Sequence, residues 1–211
     1  MASCVDQDLI KTELLIAREE KQLNGTLRDL IKVRRNFINL LLMTYIWIAA
    51  TFCFYLISFQ MKYLPGNIFL STIVSSVADV PMSVVGGLLY NRFGVNKTMP
   101  LFFSIALVGS LSLIFFGGLS NISDSLMIML TKVGIATPLF LCYLTNSSLF
   151  PSIYAGTAFG VCNLGAKIVA IFAPMVAELD KPIPMSLFAG VVSVAIVASS
   201  MIRTHPDRIL K

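Results

Sequence analysis

The chain has 211 residues, of which 56% are hydrophobic and 13% are charged. This composition excludes an ordinary water-soluble domain, in which about 25% of residues are charged, and the length is too short for two large domains. The net charge of +5 does not require a nucleic-acid partner, because orientation signals and contacts with lipid headgroups account for basic residues beside apolar spans. We therefore expect an all-α integral membrane protein in a lipid bilayer.

The first segment, residues 1–35, is polar and charged, unlike the rest of the chain. Ile10, Leu14 and Ala17 recur at helical spacing and predict an amphipathic helix that lies on the membrane or on a partner. A capping-box pattern at Thr26 predicts a second helix leading to the membrane. The alternative is a solvated charged tail that only orients the first span. The segment lacks an apolar core and is rich in acids, so we expect no cleavable signal or transit peptide.

Six apolar segments are each long enough to cross a bilayer, for which roughly 20 residues are needed. They predict a bundle of six transmembrane helices within residues 36–202, followed by a short basic tail, residues 203–211. The connections between them are short, so neighbouring spans must be antiparallel. The predicted spans are residues 37–59, 67–90, 99–119, 125–148, 153–177 and 183–202.

The basic residues predict the orientation of the bundle. If the six spans alternate, the loops of one side contain only Lys62 and Lys181, whereas nine basic residues lie close to the ends of the spans on the other side. The positive-inside rule then places both termini in the cytosol, or in the matrix if the membrane is mitochondrial. The sequence does not distinguish the plasma membrane from the mitochondrial inner membrane. The basic residues of the predicted inner side are Arg28, Lys32, Arg34, Arg35, Arg92, Lys97, Arg203, Arg208 and Lys211.

Three ionisable side chains other than those of Cys and Tyr lie deep in the predicted spans: Asp79, Lys132 and Lys167. A charge at the centre of a membrane helix costs about 2.5 to 3.5 kcal/mol on insertion scales, so each needs a partner or water. At about 1.5 Å per residue, the three lie roughly 12 to 18 Å from the outer ends of their spans, near the bilayer midplane.

Two interpretations of these charges stay open. In the first, Lys167 or Lys132 receives an anionic group and Asp79 offsets the excess positive charge. In the second, Asp79 and a lysine form a structural pair that fixes helix packing. Spans three and six carry no charge and are expected to face lipid, whereas spans two, four and five are expected to face a protein interior or a cavity.

The sequence has no pattern that is typical of an enzyme. It contains no nucleophile and base pair, metal-ligand cluster or phosphate-binding glycine loop, and its four cysteines lack the spacing of a metal site. We predict no catalytic residue, no metal and no cofactor. Gly156 and Gly160 form a GxxxG pair in span five, a pattern that lets membrane helices pack closely but also arises often by chance.

Several short motifs follow one another in a fixed order along the spans. They include Arg92-Phe93-Gly94 after span two, Lys132-Val133-Gly134-Ile135 in span four and Leu149-Phe150-Pro151-Ser152 before span five. In order and spacing, residues 30 to 202 resemble the C-terminal six-helix half of major facilitator superfamily transporters, nearest to the organic cation, organic anion and carnitine branch.

The resemblance implies that spans one, two, four and five surround a transport pathway while three and six face lipid. It implies further that Lys167 stands where anion-handling relatives have an arginine, which favours a small organic anion as substrate. Lys132 matches a basic residue of the family's span-four pattern.

Two loops depart from what the resemblance implies. The family usually has Asp-Arg-x-Gly-Arg-Arg between spans two and three, but this chain has Asn91-Arg92-Phe93-Gly94-Val95-Asn96 followed by Lys97. Around Pro151, before span five, Ser148 replaces an acid and Ala155 replaces an arginine. In the family these charges form a network that steadies one state of the transport cycle, and here much of that network is absent.

Two hypotheses for function follow, because a single six-helix bundle supplies only one wall of an alternating-access pathway. The first is a transporter-derived structural or accessory subunit of a larger membrane assembly, such as a respiratory complex of the mitochondrial inner membrane. The second is a half-transporter for small organic anions that works as a homodimer or with a complementary half-bundle. We favour the first, because losing the gating charges would cost a transporter its switch but would leave a scaffold unaffected.

Overall fold

The computed structural model of the protein describes residues 34–63, 68–117, 121–150, 152–180 and 182–202. The amphipathic helices predicted before residue 34 and the basic tail predicted after residue 202 lie outside these ranges, as does Pro151. Within them the structure is all-helical, with no strands, which confirms the predicted fold class. The helices are α1 (Arg34–Gln60), α2 (Ile68–Phe93), α3 (Val95–Phe116), α4 (Asn121–Leu149), α5 (Ser152–Ala170), α6 (Ala173–Ala177) and α7 (Ile183–Ser200), with a 3₁₀ turn at Met61–Tyr63.

Five stretches of the described residues are long and apolar enough to cross a membrane. They correspond to the predicted spans one, three, four, five and six. The predicted span two coincides with α2, which has 26 residues and is about 39 Å long at 1.5 Å per residue. That length also suffices to cross a hydrocarbon core about 30 Å thick.

Span five is not the single helix that its hydropathy predicts. It divides into α5 and the five-residue helix α6, with a break at Ile171 and Phe172. Pro174 explains the break, because a proline lacks the N–H that bonds four residues back and its ring clashes with the carbonyl there, which belongs to Ala170. The N–H of Phe172 instead bonds the carbonyl of Val169 at 3.1 Å.

The core of the bundle lies around α1 and α4. Helix α1 packs against α4, α5, α6 and α7, while α3 packs against α4 and α7, and α2 packs mainly against α4. The indole of Trp47 in α1 is buried and contacts Tyr143 of α4 and Phe159 of α5 edge to face, with ring centroids 4.9 and 5.3 Å away. These rings hold the three helices together.

The closest helix crossings use glycines other than the GxxxG pair. A Cβ added at Gly134 in α4 would lie 2.5 Å from the backbone nitrogen of Ala106 in α3. Gly109 of α3 likewise lies directly against Thr131 of α4. Both contacts let the two backbones approach closely.

By contrast, a Cβ added at Gly156 or Gly160 would meet nothing within 4 Å. The helix packing predicted for this pair is therefore not made by the described residues of the chain. The GxxxG spacing identifies a smooth helix face without identifying what lies on it, so packing of this pair on another surface stays a prediction.

The expected division between lipid-facing and interior spans holds only in part. Spans one and four have the largest buried shares of their apolar stretches, 61% and 56%, and spans three and six have 33% each. Span five, which we expected to face an interior, has the smallest share, 17%. Most of the surface of span five is thus not covered by the described part of this chain.

Candidate functional site

The structure joins two of the three predicted intramembrane charges. The ammonium of Lys132 in α4 lies 3.8 Å from a carboxylate oxygen of Asp79 in α2. The lysine side chain is only 5% exposed and the aspartate side chain 20%. Because both helices contribute one charge, the pair ties α2 to α4, and neither residue is left to face lipid alone.

The ring of Phe54 in α1 covers the same lysine. The ammonium of Lys132 lies 5.7 Å from the centroid of that ring, a distance at which the ring quadrupole attracts a cation. Lys132 therefore has a carboxylate on one side and an aromatic face on another. To bind an anion from outside the bundle, Lys132 would have to lose Asp79 as its partner or share its ammonium between Asp79 and the anion.

Lys167 of α5 is in a different situation. Its side chain is exposed, and its ammonium lies 3.4 Å from the hydroxyl of Tyr55 and 5.5 Å from the centroid of the same ring. Both contacts are to a neutral group, so they solvate the charge only weakly. Among the described residues, no carboxylate forms an ion pair with Lys167.

Two consecutive aromatic residues of α1 connect these charges. Phe54, which faces Lys132, and Tyr55, which faces Lys167, contact each other edge to face with centroids 5.9 Å apart. All three predicted charges are thus arranged around one turn of α1, but only the Asp79 and Lys132 pair is in direct contact. We call Asp79, Lys132, Lys167, Phe54 and Tyr55 the midplane cluster.

The ends of α2 and α4 are joined by neutral groups. The hydroxyl oxygens of Tyr90 and Ser148 lie 2.6 Å apart, so one donates a hydrogen bond to the other. Ser148 is the residue that replaces the acid implied by the family resemblance. A hydroxyl pair thus joins the end of span two to the end of span four at this position.

The other residues of the two degenerate loops make local contacts. The guanidinium of Arg92 lies 5.8 Å from the ring centroid of its own neighbour Phe93, and Asn91 and Lys97 are exposed. Gly94 has φ of 77° and ψ of 171°, a region of backbone conformation that is essentially restricted to glycine. It lets the chain turn from α2 into α3 within one residue.

An asparagine near the end of α4 fixes the start of α5. The side-chain amide of Asn146 donates a hydrogen bond of 3.0 Å to the carbonyl of Ala155 across the turn. Ala155, which replaces an arginine, therefore contributes its backbone and not a charge. At the same end of the bundle, Asn96 of α3 donates a bond of 2.7 Å to the carbonyl of Ile202, just after α7.

Known proteins that resemble this chain are transporters. Organic anion transporter 3 of Mus musculus is 26% identical over 146 residues, which are 67% of this chain and 27% of that protein. Solute carrier family 22 member 15 of Xenopus tropicalis is 24% identical over 147 residues, 66% of this chain and 28% of that protein. The organic cation transporter-like protein of Drosophila melanogaster is 24% identical over 172 residues, 78% of this chain and 30% of that protein. No family model matches the chain.

The predicted resemblance to the organic ion transporters is confirmed. The protein is an integral membrane protein related to transporters, and these relatives are not enzymes. The chain spans less than a third of the length of these three organic ion transporters, 27 to 30%. Their activity as whole proteins is therefore not a property that the similarity alone gives to this chain.

Sequence reasoning missed the aromatic part of the midplane cluster and the hydroxyl pair. Phe54 and Tyr55 lie about two turns beyond the middle of α1, and nothing distinguished them there from the other apolar residues of span one. Tyr90 directly precedes the degenerate loop at Asn91, but nothing in the sequence indicated that it would meet Ser148. No group of three His, Cys, Asp or Glu residues within the described ranges could hold a metal ion.

Proposed function

We propose that this chain is a transporter-derived structural or accessory subunit of a larger membrane assembly. The observation that carries the proposal is the exposed Lys167 on span five, of whose apolar stretch only 17% is buried. A lysine near the midplane costs about 2.5 to 3.5 kcal/mol when it faces lipid, so a subunit that covers it would be stabilised by removing this cost. A respiratory complex of the mitochondrial inner membrane is one host of this kind.

The charges elsewhere in the bundle support the same proposal. Asp79 neutralises Lys132 inside the bundle, and the ends of α2 and α4 are joined by the neutral hydroxyls of Tyr90 and Ser148. These contacts favour one fixed arrangement, because the described ends of α2 and α4 are joined by a neutral hydrogen bond and not by an ion pair. The orientation that accompanies the proposal has both termini on the cytosolic or matrix side, as the distribution of basic residues predicts.

Purification in mild detergent followed by quantitative mass spectrometry tests the proposal. We expect other membrane polypeptides to co-purify with the chain in fixed stoichiometry, while soluble proteins do not. Recovery of the chain as a monodisperse monomer or as a homodimer alone would contradict it. Fractionation of the same cells distinguishes the plasma membrane from the mitochondrial inner membrane as host.

A second candidate function is a half-transporter for small organic anions, formed with a second copy or with a complementary half-bundle. The specific observation in its favour is that the exposed ammonium of Lys167 donates a hydrogen bond to the Tyr55 hydroxyl and has no carboxylate partner among the described residues, in a chain similar to an organic anion transporter. Proteoliposomes test it with a labelled aromatic carboxylate. Uptake that Lys167→Ala abolishes, with the variant still folded, would support transport, whereas uptake unaffected by that substitution would argue against this role for Lys167.

A further inference from the structure

One face of α5 is open along most of the helix. It consists of Gly156, Gly160, Leu164, Lys167 and Ile168, all of them exposed, and we call it the α5 face. From its first to its last residue it extends about 18 Å. The two glycines have nothing within 4 Å of an added Cβ, and Leu164 is 64% exposed.

The charge of Lys167, near the C-terminal end of this face, is not compensated by the part of the chain that the structure describes. Lys167 contacts a neutral phenol, whereas Lys132 has the carboxylate of Asp79. Lys167 lies in the last turn of α5, just before the break at Ile171 and Phe172, and ten further residues lead to Ala177 at the outer end of span five. Ten residues correspond to about 15 Å of helix, so Lys167 is near the middle of the predicted span, whereas lysines that extend their stems to the headgroups lie near the ends of a span.

We infer that a transmembrane helix of a different protein packs on the α5 face and places an Asp or Glu beside Lys167. The inference rests on the proposed accessory function and names the chemistry of the partner. A carboxylate at this depth would pair with the lysine, and each charge would compensate the other. The free-energy cost of placing either charge in the membrane would therefore be removed. The open glycines let the partner's backbone approach closely over the rest of the face.

A second copy of this chain does not meet the same requirement. A symmetric dimer brings identical surfaces together, which would place two lysines against each other. Asp79 is the acid that lies deep in the described spans, and it is paired with Lys132. Glu178 and Asp180 follow α6 at the outer end of span five, far from the depth of Lys167. The charge of the α5 face thus favours a partner with its own intramembrane acid.

Photo-crosslinking on the full-length chain in its native membrane tests this inference. The variant Leu164→p-benzoylphenylalanine places a cross-linker on the α5 face, and the same substitution at Val194, which is 55% exposed on α7, is the matched control. We expect the Leu164 variant to capture one membrane polypeptide at a transmembrane segment that contains an Asp or Glu. We expect the Val194 variant not to capture that segment.

Charge exchange then tests the role of the lysine. Lys167→Asp and Gly160→Leu should lower recovery of the cross-linked partner about tenfold or more, which corresponds to about 1.4 kcal/mol. Replacing the partner's carboxylate with Lys should restore recovery for Lys167→Asp but not for Gly160→Leu. Gly190→Leu, at an equally open glycine on α7, is the control for added bulk. The midpoint of thermal unfolding should be unchanged in each variant if the bundle itself remains folded.

The outcomes separate this inference from the proposed function. If no polypeptide co-purifies in fixed stoichiometry, the accessory function itself is wrong. A different outcome is that partners co-purify while the Leu164 variant captures lipid, a second copy of the chain or a segment without an acid. In that case only the inference of a carboxylate-bearing partner helix is wrong. The inference would also be overturned if the charge exchange failed to restore recovery of the cross-linked partner.

Discussion

Lys132 and Lys167 carry the same charge at similar depths, yet the bundle treats them differently. Lys132 is buried between Asp79 and the ring of Phe54, so its charge is part of the packing of α2 on α4. Lys167 is exposed beside Tyr55. Removing a partner from a buried pair leaves a charge in a medium of low polarity, whereas changing an exposed side chain leaves nothing behind. The stability of the bundle should therefore depend on Lys132, and the binding of a partner on Lys167.

Removing the counterion of Lys132 should destabilise the bundle. We expect Asp79→Asn to lower the free energy of unfolding by about 3 to 5 kcal/mol, the range seen when one member of a buried pair is removed. The double variant Asp79→Asn with Lys132→Met should recover much of this loss, because no charge is then left unpaired. Thermal unfolding of the detergent-purified protein measures both.

Lys167→Met is the matched control for the pair, since it removes an exposed lysine that has no carboxylate partner among the described residues. Its unfolding midpoint should stay close to that of the parent chain. If the single Asp79 variant and the double variant lose equal amounts of unfolding free energy, the contact between Asp79 and Lys132 does not account for the stability.

Gly94 gives a second prediction at the scale of one residue. Its backbone conformation, with φ of 77°, is strained for any residue with a Cβ. We expect Gly94→Ala to lower the free energy of unfolding by about 1 to 3 kcal/mol. Gly87→Ala, within α2, is the control, because an added Cβ meets nothing there and alanine favours a helix by about 1 kcal/mol relative to glycine. Unfolding midpoints that change equally in the two variants would contradict this explanation.

Among the helices, α3 and α4 depend on the closest backbone approach. The added Cβ of Gly134→Ala would lie 2.5 Å from the nitrogen of Ala106 and 2.8 Å from its Cα. Both are backbone atoms, so a whole helix has to shift. We expect a loss of about 1 to 3 kcal/mol in the free energy of unfolding, as for other overpacked cores.

Gly156→Ala provides the comparison for that prediction. Both glycines lie within helices, Gly134 in the middle of α4 and Gly156 near the start of α5, but an alanine at 156 meets nothing within 4 Å. Its effect on the isolated bundle should be neutral or slightly stabilising. A larger loss for Gly156→Ala than for Gly134→Ala would mean that a surface outside the described residues covers the GxxxG pair even in the purified protein.

Hydropathy predicted the positions of the five stretches that are long and apolar enough to cross a membrane, because each needs a run of apolar residues, which is visible along the chain. It did not predict the break in span five, since Pro174 disrupts the backbone without changing the hydropathy of the segment. The depth of a charge also follows from its position in a span. The sequence does not show whether Lys132 or Lys167 contacts Asp79, because that depends on how α4 and α5 are rotated about their axes, and packing determines this rotation.

The whole bundle is asymmetric in how it covers its own surface. Helices α1 and α4 form the centre, and α2 and α5 pack on them. The intramembrane charge on α2 is paired with Lys132, whereas the charge on α5 has no carboxylate partner among the described residues. This difference places the expected contact with another protein on α5.

The orientation of α2 decides the topology of the whole molecule, because α2 separates Lys62 from Lys97, both of which are exposed. If α2 crosses the membrane, these two positions lie on opposite sides. We expect Lys62→Cys to react with a membrane-impermeant maleimide from outside the intact membrane compartment, and Lys97→Cys to react only after permeabilisation. The parent for both variants carries Cys4→Ser, and the buried thiols of Cys53, Cys142 and Cys162 should leave it unlabelled. Labelling of both variants from the same side would show that α2 does not cross, and the predicted side of the termini would then no longer follow from an even number of spans.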